Sequence, residues 1–454
     1  MATRNGTELP DTLTGTNNAD IIRGFGKEDL LYGLGGNDSI YGGEDKDTAY
    51  GGAGADRLYG ENGEDDLYGE DGNDFLYGGL DKDNLHGGIG ADRLFGDSGE
   101  DLLYGDAGND ILYGGADAND SNDGKDFLDG GAGNDRLYVG FEDTGFGGVG
   151  DDTVIGGFTD DAIYGDDSEG LVFGGADSLV GGDGNDTLYG EGNSLAGGGN
   201  DTLDGGTGDD QLYGHAGSDY LYGGDGIDYL DGGDGNDILD GGAGSSTLRG
   251  GGGLETIAGG AEGDFIDGGE DNDNLSGLGG NDTIYGDAGV AESLAGNDIL
   301  NGGAGDDFLD GGAGVDRIIG GAGVDLLFGG EDSETQTARD TLTGGADTDF
   351  FQLLYTAFVP EPIQPGEPIV PAPAGDYIVD FVKGTDFLFL EGITFEQLGF
   401  QNISLTVGSF ATNSTRIYVL PTEPGVPISQ AETLAVVQGV RQFNASHFVF
   451  EPII

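Results

Sequence analysis

From Gly6 to Tyr113 the chain repeats the same nine residues twelve times without a break in register. Every ninth residue from Gly6 through Gly105 is glycine. An aspartate follows each glycine five residues later, and an aliphatic residue follows the aspartate two residues on, from Leu13 to Leu112, with Ala49 the only small one. A period this strict describes one supersecondary unit copied along an axis, each copy burying its apolar residue against its neighbours. One carboxylate is copied with it: Asp11, Asp20, Asp29, Asp38, Asp47, Asp56, Asp65, Asp74, Asp83, Asp92, Asp101 and Asp110.

Beyond Tyr113 the repeats continue with insertions. Residues 114–129, 165–180 and 286–301 are 16-residue variants, and 190–204 and 329–343 are 15-residue variants. Each ends in the same aspartate-x-aliphatic-x signature, so the turn has lengthened and the strand is kept. Regular repeats return over Gly205–Tyr285 and Gly302–Phe328, and a last one starts at Gly344. The aspartate series runs on through Asp126, Asp135, Asp152, Asp161, Asp177, Asp186, Asp201, Asp210, Asp219, Asp228, Asp237, Asp264, Asp273, Asp282, Asp298, Asp307, Asp316, Asp325, Asp340 and Asp349. Val139–Phe146 reads as an irregular stretch. In repeats 241–249 and 250–258, Ser246 and Glu255 stand in the aspartate's place.

The unit is Gly-Gly-x-Gly-x-Asp-x-aliphatic-x, seen cleanly as Gly232-Gly233-Asp234-Gly235-Asn236-Asp237-Ile238-Leu239-Asp240. Over roughly residues 6–352 the chain resembles the RTX, or haemolysin-type, calcium-binding family, whose known repeat is this nonapeptide. The resemblance implies an all-β fold, a right-handed parallel β-roll with two repeats per coil. It also implies many Ca²⁺ ions as cofactor, about one per repeat, and export by a type I secretion machinery that reads an uncleaved C-terminal signal.

Elementary chemistry leads to the same ligand. Glycines at positions 1, 2 and 4 allow positive φ, so the first six residues are expected to form a tight turn and the next three a short strand. Alternation along the strand sends position 8 inward and positions 7 and 9 outward. Stacked coils lie about 4.8 Å apart, which sets each aspartate beside its like-charged neighbour, an unstable column by itself. Ca²⁺ takes six to eight oxygens from carboxylates and carbonyls, whereas the smaller Mg²⁺ sheds its water reluctantly. About one Ca²⁺ per repeat would offset roughly 60 of the 72 net negative charges. Aspartate also suits turns that bind nothing. A mere turn former would often be Asn, and this position almost never is.

Composition narrows the classes further. With 87 acids against 15 bases, neither nucleic acid nor an anionic membrane is a fitting direct partner. Cysteine is absent, so there is no disulfide framework. No apolar run is long enough for a transmembrane segment, and Met1–Gly6 has no signal-peptide apolar core, which alone reads as cytosolic; the family resemblance implies secretion without an N-terminal signal instead. His86, His215 and His447 stand alone, and neither H-E-x-x-H nor G-x-S-x-G occurs. A glycosidase-like carboxylate pair is disfavoured because a metal-coordinated carboxylate is a poor acid or base. Position 9 is aromatic through the N-terminal run, at Tyr32, Tyr41, Tyr50, Tyr59, Tyr68, Tyr77, Phe95, Tyr104 and Tyr113, interrupted by His86. These form outward ladders that either stiffen the sheet or offer a sugar-stacking face. In later repeats the position is often acidic: Asp204, Asp231, Asp240, Asp267 and Asp310.

Three segments follow from this reading. Residues 1–352 form the β-roll. Residues 353–375 form a proline-rich linker with Pro360, Pro362, Pro365, Pro368, Pro371 and Pro373. Residues 376–454 form a small, mainly-β cap that also holds the secretion region. Within that cap, strands are expected at Tyr377–Val382, Phe387–Leu390, Ile403–Val407 and Arg416–Leu420, and a short helix at Gln430–Val437. Asp376–Phe381 and Gly392–Leu398 resemble the region that follows the repeats in many family members. The function expected is a non-enzymatic, secreted or cell-surface calcium-binding structural or adhesion protein. Its partners would be calcium and a cell-surface polysaccharide or surface protein. The alternatives are an accessory module of an enzyme or toxin system, or an extracellular calcium buffer.

Overall fold

The computed structural model describes residues 2–115, 124–166, 174–191, 198–330 and 340–353, and beyond these 376–378, 380, 386–390, 398–407, 410–419, 433–438 and 448–450. The proline-rich segment, the Gly392–Gln397 stretch and His447 lie outside the described residues. The chain divides into two units, Met1–Ile238 and Leu239–Ile454. Among the described residues every regular element is a strand.

In the first unit, alternate strands belong to alternate sheets, so each strand pairs with the next but one. Ser39–Glu44 pairs with Arg57–Asn62, Ser39 facing Arg57, and Thr48–Ala53 pairs with Asp66–Asp71, Thr48 facing Asp66. Both pairings are parallel and offset by two repeats, so two nonapeptides make one coil. The second unit repeats the arrangement. Thr247–Gly252 lies parallel to Phe265–Glu270, and Thr256–Gly260 lies parallel to Asn274–Gly279. Each unit is thus a parallel β-solenoid. The core is one column of position-8 side chains per sheet, for example Leu58, Leu76 and Leu94 on one and Leu67, Leu85 and Leu103 on the other, all fully buried.

The strands are longer than the expected three residues. Most run for six, from position 7 through position 3 of the following repeat, as in Arg57–Asn62 and Tyr220–Asp225. The glycine pair is part of the ladder because its backbone groups find partners in the adjacent coil. Gly148 N–H donates to Gly165 O at 2.8 Å, and Gly269 N–H to Gly286 O at 2.9 Å. The tight part of the turn shrinks to positions 4–6.

Insertions sit in the turns and leave strand register intact. Leu102 faces Phe127 and Ser178 faces Thr202 despite the extra residues between them. The stretch Val139–Phe146 is a repeat with one residue deleted from its turn. Thr144–Val149 is an ordinary strand paired with Phe127–Ala132. Its position 8 is Gly145, and a Cβ there would lie 2.8 Å from Val139 Cγ1. Val139, itself buried, fills the space the glycine leaves.

Both sheets continue past Gln352. Asp376–Ile378 lies parallel on Thr341–Ala346, and Phe387–Leu390 lies parallel on Phe350–Leu353. Thr433–Gln438 and Phe448–Phe450 add a further parallel layer, and Leu398–Val407 forms an antiparallel hairpin with Phe410–Val419. The described part of the expected Gln430–Val437 helix is therefore a strand. Its Thr433-Leu434-Ala435-Val436-Val437 run is rich in β-branched residues. It pairs on one side with Asp376–Ile378 and on the other with Phe410–Val419.

Candidate metal centre: the aspartate columns

Apart from half-buried Asp11, every position-six aspartate named above is buried. The turns do not hold them out into solvent; they hold them inside. The reason is a side-chain ladder that runs along each column. The backbone N–H of one aspartate donates to Oδ1 of the aspartate one coil on: Asp47 to Asp65 and Asp56 to Asp74, both at 2.7 Å. The ladder spans the lengthened turns, with Asp177 donating to Asp201 and Asp316 to Asp340, both at 2.8 Å. An asparagine could accept the same bond, but it could not offer a second anionic oxygen.

That second oxygen, Oδ2, is buried and has no hydrogen-bond partner in most turns, including those of Asp47, Asp56, Asp65, Asp74, Asp83 and Asp92. It lies against the position-1 glycine. A Cβ on Gly42 would stand 2.5 Å from Asp47 Oδ2 and 2.8 Å from Gly60 O. Position 1 therefore needs glycine for close approach, not for positive φ as its pattern suggests. Positive φ belongs to position 2, for example Gly43 at 127°, and to position 4, for example Gly54 at 153°. Position-4 carbonyls point at the next coil: a Cβ on Gly90 would lie 1.3 Å from Gly72 O. Each turn thus combines an unsatisfied carboxylate oxygen with closely stacked carbonyls.

The electrostatics follow from this burial. Desolvation pushes Asp47 up to about 7, against the ordinary 3.8. It pushes Asp83 and Asp177 up to about 9. The N–H bond from the preceding aspartate opposes the rise, and like charge along the column adds to it. Near the N-terminal end the direction reverses. The Asp20 carboxyl is lowered by hydrogen bonds from the Ala2 N–H and the Thr16 side chain. The ion pairs Lys27–Asp45, Lys46–Asp66 and Lys125–Glu142 engage acids outside the columns.

The donor set fits a hard cation. A buried, acceptor-only oxygen without a donor is costly unless a proton or cation meets it. Among the described residues no three His, Cys, Asp or Glu side chains gather as a metal cluster. A cation here would be held by a carboxylate together with turn carbonyls, the oxygen-rich chemistry Ca²⁺ favours.

Two members of the columns escape the nonapeptide pattern. Asp143 is buried, accepts the Asp126 N–H at 2.7 Å and donates its own to Asp161 at 3.0 Å. Asp386, also buried, accepts the Asp349 N–H at 3.4 Å. The signal for Asp386 was present in Gly384-Thr385-Asp386-Phe387-Leu388-Phe389, which keeps the position-4 glycine and the aspartate-x-aliphatic-x signature without the glycine pair before them. For Asp143 the signal was Phe146 at the aromatic position.

Ser246 and Glu255 are buried at the column positions and still donate their N–H groups, to Asp264 at 2.8 Å and Asp273 at 2.9 Å. The backbone of the turn is therefore kept where the carboxylate is not. Ser246 has no anionic oxygen to offer a cation, and Glu255 carries its carboxylate on a side chain one methylene longer. At subsaturating calcium, hydrogen exchange is expected to open residues 241–258 before residues 205–237. Equal protection of the two stretches would contradict this.

The position-9 aromatics form two stacked columns. Tyr41, Tyr59, Tyr77, Phe95, Tyr113 and Tyr138 follow one another with ring centroids 4.7–5.0 Å apart and planes within 7°. Tyr32, Tyr50, Tyr68, His86 and Tyr104 do the same on the other sheet, at 4.6–5.2 Å. Within each column the ring faces are covered by neighbouring rings, and this favours the stiffening role over sugar stacking.

A solenoid of glycine turns with a buried carboxylate in nearly every one, its second oxygen unsatisfied in turn after turn, defines a calcium-binding β-roll. The chain belongs to the family of the RTX calcium-binding nonapeptide repeat (4 copies). That family matches residues 5–40, 24–58, 50–85, 59–94, 86–121, 120–143, 139–169, 173–194, 195–230, 231–266, 258–290 and 293–327. Its repeats bind calcium, which supports Ca²⁺ as the ion. No curated protein matches the chain. No helix among the described residues is long and apolar enough to cross a membrane.

Proposed function

We propose that this chain is a secreted or cell-surface calcium-binding structural or adhesion protein without catalytic activity, folded by Ca²⁺ held in its turns. The observation that supports this is the repeated, buried Oδ2 beside a position-1 glycine, without a donor, in turn after turn from Asp29 onward. The position-six aspartates from Asp11 to Asp349 would supply the carboxylates, and the glycine turns the carbonyls. Bound Ca²⁺ supplies the positive charge that lets these buried groups ionise.

An extracellular setting matches the design, because millimolar Ca²⁺ is where weak, repeated sites of this kind fill. Type I export before folding is consistent with it: the chain would pass out unfolded and fold on meeting calcium. The stacked rings leave hydroxyl edges for a surface polysaccharide or protein partner. The test is fractionation of producing cells. The full-length chain should appear in the medium or on the surface of intact cells, and a chelator wash should release the surface fraction. Retention of the full-length chain in the cytosol would sink the extracellular reading.

A further inference from the structure

In a regular repeat the position-2 carbonyl accepts the position-3 N–H of the next coil. Leu34 O accepts from Ala53 and Gly157 O from Asp183, both at 3.0 Å. The 15-residue repeat that begins at Gly190 breaks this rule. Its position 2 is Glu191, only 2 % exposed. The Glu191 side chain replaces the missing carbonyl, its Oε2 accepting the Ala216 N–H at 3.1 Å.

The other carboxylate oxygen is left over. Glu191 Oε1 is buried without a hydrogen-bond partner. It is turned across the base of the insertion towards a second acceptor: a Cβ on Gly198 would lie 1.5 Å from Glu191 Oε1 and 2.0 Å from Ala216 O. Two acceptor oxygens facing each other with no donor between them repel unless a positive species joins them. In the same turn Asp201 Oδ2 is also buried without a partner. It lies at Gly190, whose Cβ would stand 2.4 Å from it and 2.9 Å from Gly214 O. A regular turn offers one such carboxylate oxygen, and this turn offers two.

We propose that the turn framed by Glu191 and Asp201 is a distinct Ca²⁺ site, with two carboxylates and the Ala216 and Gly214 carbonyls as its donors, and that it fills before the regular turns as calcium rises. This rests on the calcium-dependent reading above. The physical reason is charge: affinity of an oxygen site for Ca²⁺ climbs steeply with the number of anionic ligands and with rigidity. The preceding coil also carries an acid at this position. Asp166 occupies position 2 of the 16-residue repeat at Gly165, and a Cβ on Gly174 would lie 2.0 Å from its Oδ1. Asp287 provides an internal contrast. It too is a position-2 acid in a lengthened repeat, but both its oxygens accept N–H bonds, from Gly296 at 3.0 Å and Ala313 at 3.1 Å. It links the coil and offers no spare oxygen.

Calcium titration of the full-length chain by calorimetry tests this, with Ca²⁺ alone as the probe. The wild type should show a tight first step ahead of the bulk of the sites. In E191Q that step should weaken by at least about tenfold, and in D287N it should persist. E191Q should reach the wild-type β spectrum at saturating Ca²⁺, since glutamine keeps an acceptor for Ala216 N–H and can donate to Ala216 O. An unchanged first step in E191Q overturns the proposal. Greater stability of E191Q in chelator together with that unchanged step would show that Glu191 holds a proton, and overturns it likewise. A wild type that binds no Ca²⁺ at all would instead remove the calcium-dependent reading itself.

Discussion

In excess chelator at pH 8 the full-length chain is expected to give a circular dichroism spectrum without β structure, and Ca²⁺ in the range of about 10⁻⁴–10⁻³ M should restore it. Mg²⁺ at the same concentration should not. Each repeat buries one aliphatic side chain, such as Leu58 or Leu67, against the ordering of nine residues, many of them glycine. Glycine loses more freedom on ordering than any other residue, so this is a thin core for so much chain. The same turns bury a carboxylate per repeat, and at pH 8 that group is either charged and desolvated or must take up a proton. Neither state favours the roll. A cation held by Oδ2 and the turn carbonyls removes the conflict, and its binding free energy becomes folding free energy. The transition should be steep, because a coil is ordered only when its neighbours are. A β spectrum indifferent to chelator would show that the columns are stable without metal.

The architecture was legible in the sequence because a nine-residue period leaves few alternatives. The aliphatic residue at position 8 marked the inner face, and Leu13 to Leu112 lie where the alternation puts them. The column of aspartates was legible as a column, since a fixed offset from the glycine must stack. Its burial was not. Asp and Gly in a turn read as solvent-exposed, and only the Asp47–Asp65 type of N–H to Oδ1 ladder shows why the carboxylate faces inward. Strand length was underestimated because glycine is a poor strand residue by propensity, yet here the Gly-Gly pair is held by the coil on either side. Asp386 and Asp143 were hidden because their repeats have lost glycines or one residue, while the aspartate and its strand survive. Gln430–Val437 went the other way. Its short apolar run fits helix or strand equally in isolation, and pairing with Asp376–Ile378 decides it.

The burial of so many carboxylates also sets an unusual pH dependence. In the metal-free roll desolvation raises Asp47 and Asp74 to about 7, Asp110 to about 8, and Asp83, Asp177 and Asp316 to about 9, from an ordinary 3.8. A carboxylate whose pKa is higher in the folded state takes up protons on folding. Its contribution to stability is fully present below the unfolded pKa and is lost as pH rises through the folded value. Without calcium, therefore, acid should favour the roll. In chelator the β signal should be larger at pH 5 than at pH 8, the stabilisation falling progressively from about pH 4 to about pH 9. A pH of 5 stays above the isoelectric point of about 4.1, where precipitation would confuse the reading. With Ca²⁺ the sign reverses, because the cation requires the ionised carboxylate and competes with the proton. Where acid has already restored the roll in chelator, the calcium midpoint should rise as pH falls, by about tenfold per unit where one proton leaves for each ion bound; where the metal-free chain is unfolded its aspartates are ionised and the midpoint should not move. A calcium midpoint independent of pH where the roll is folded in chelator would mean that the buried aspartates are already ionised in that metal-free roll. The conflict argued here between burial and charge would then not exist.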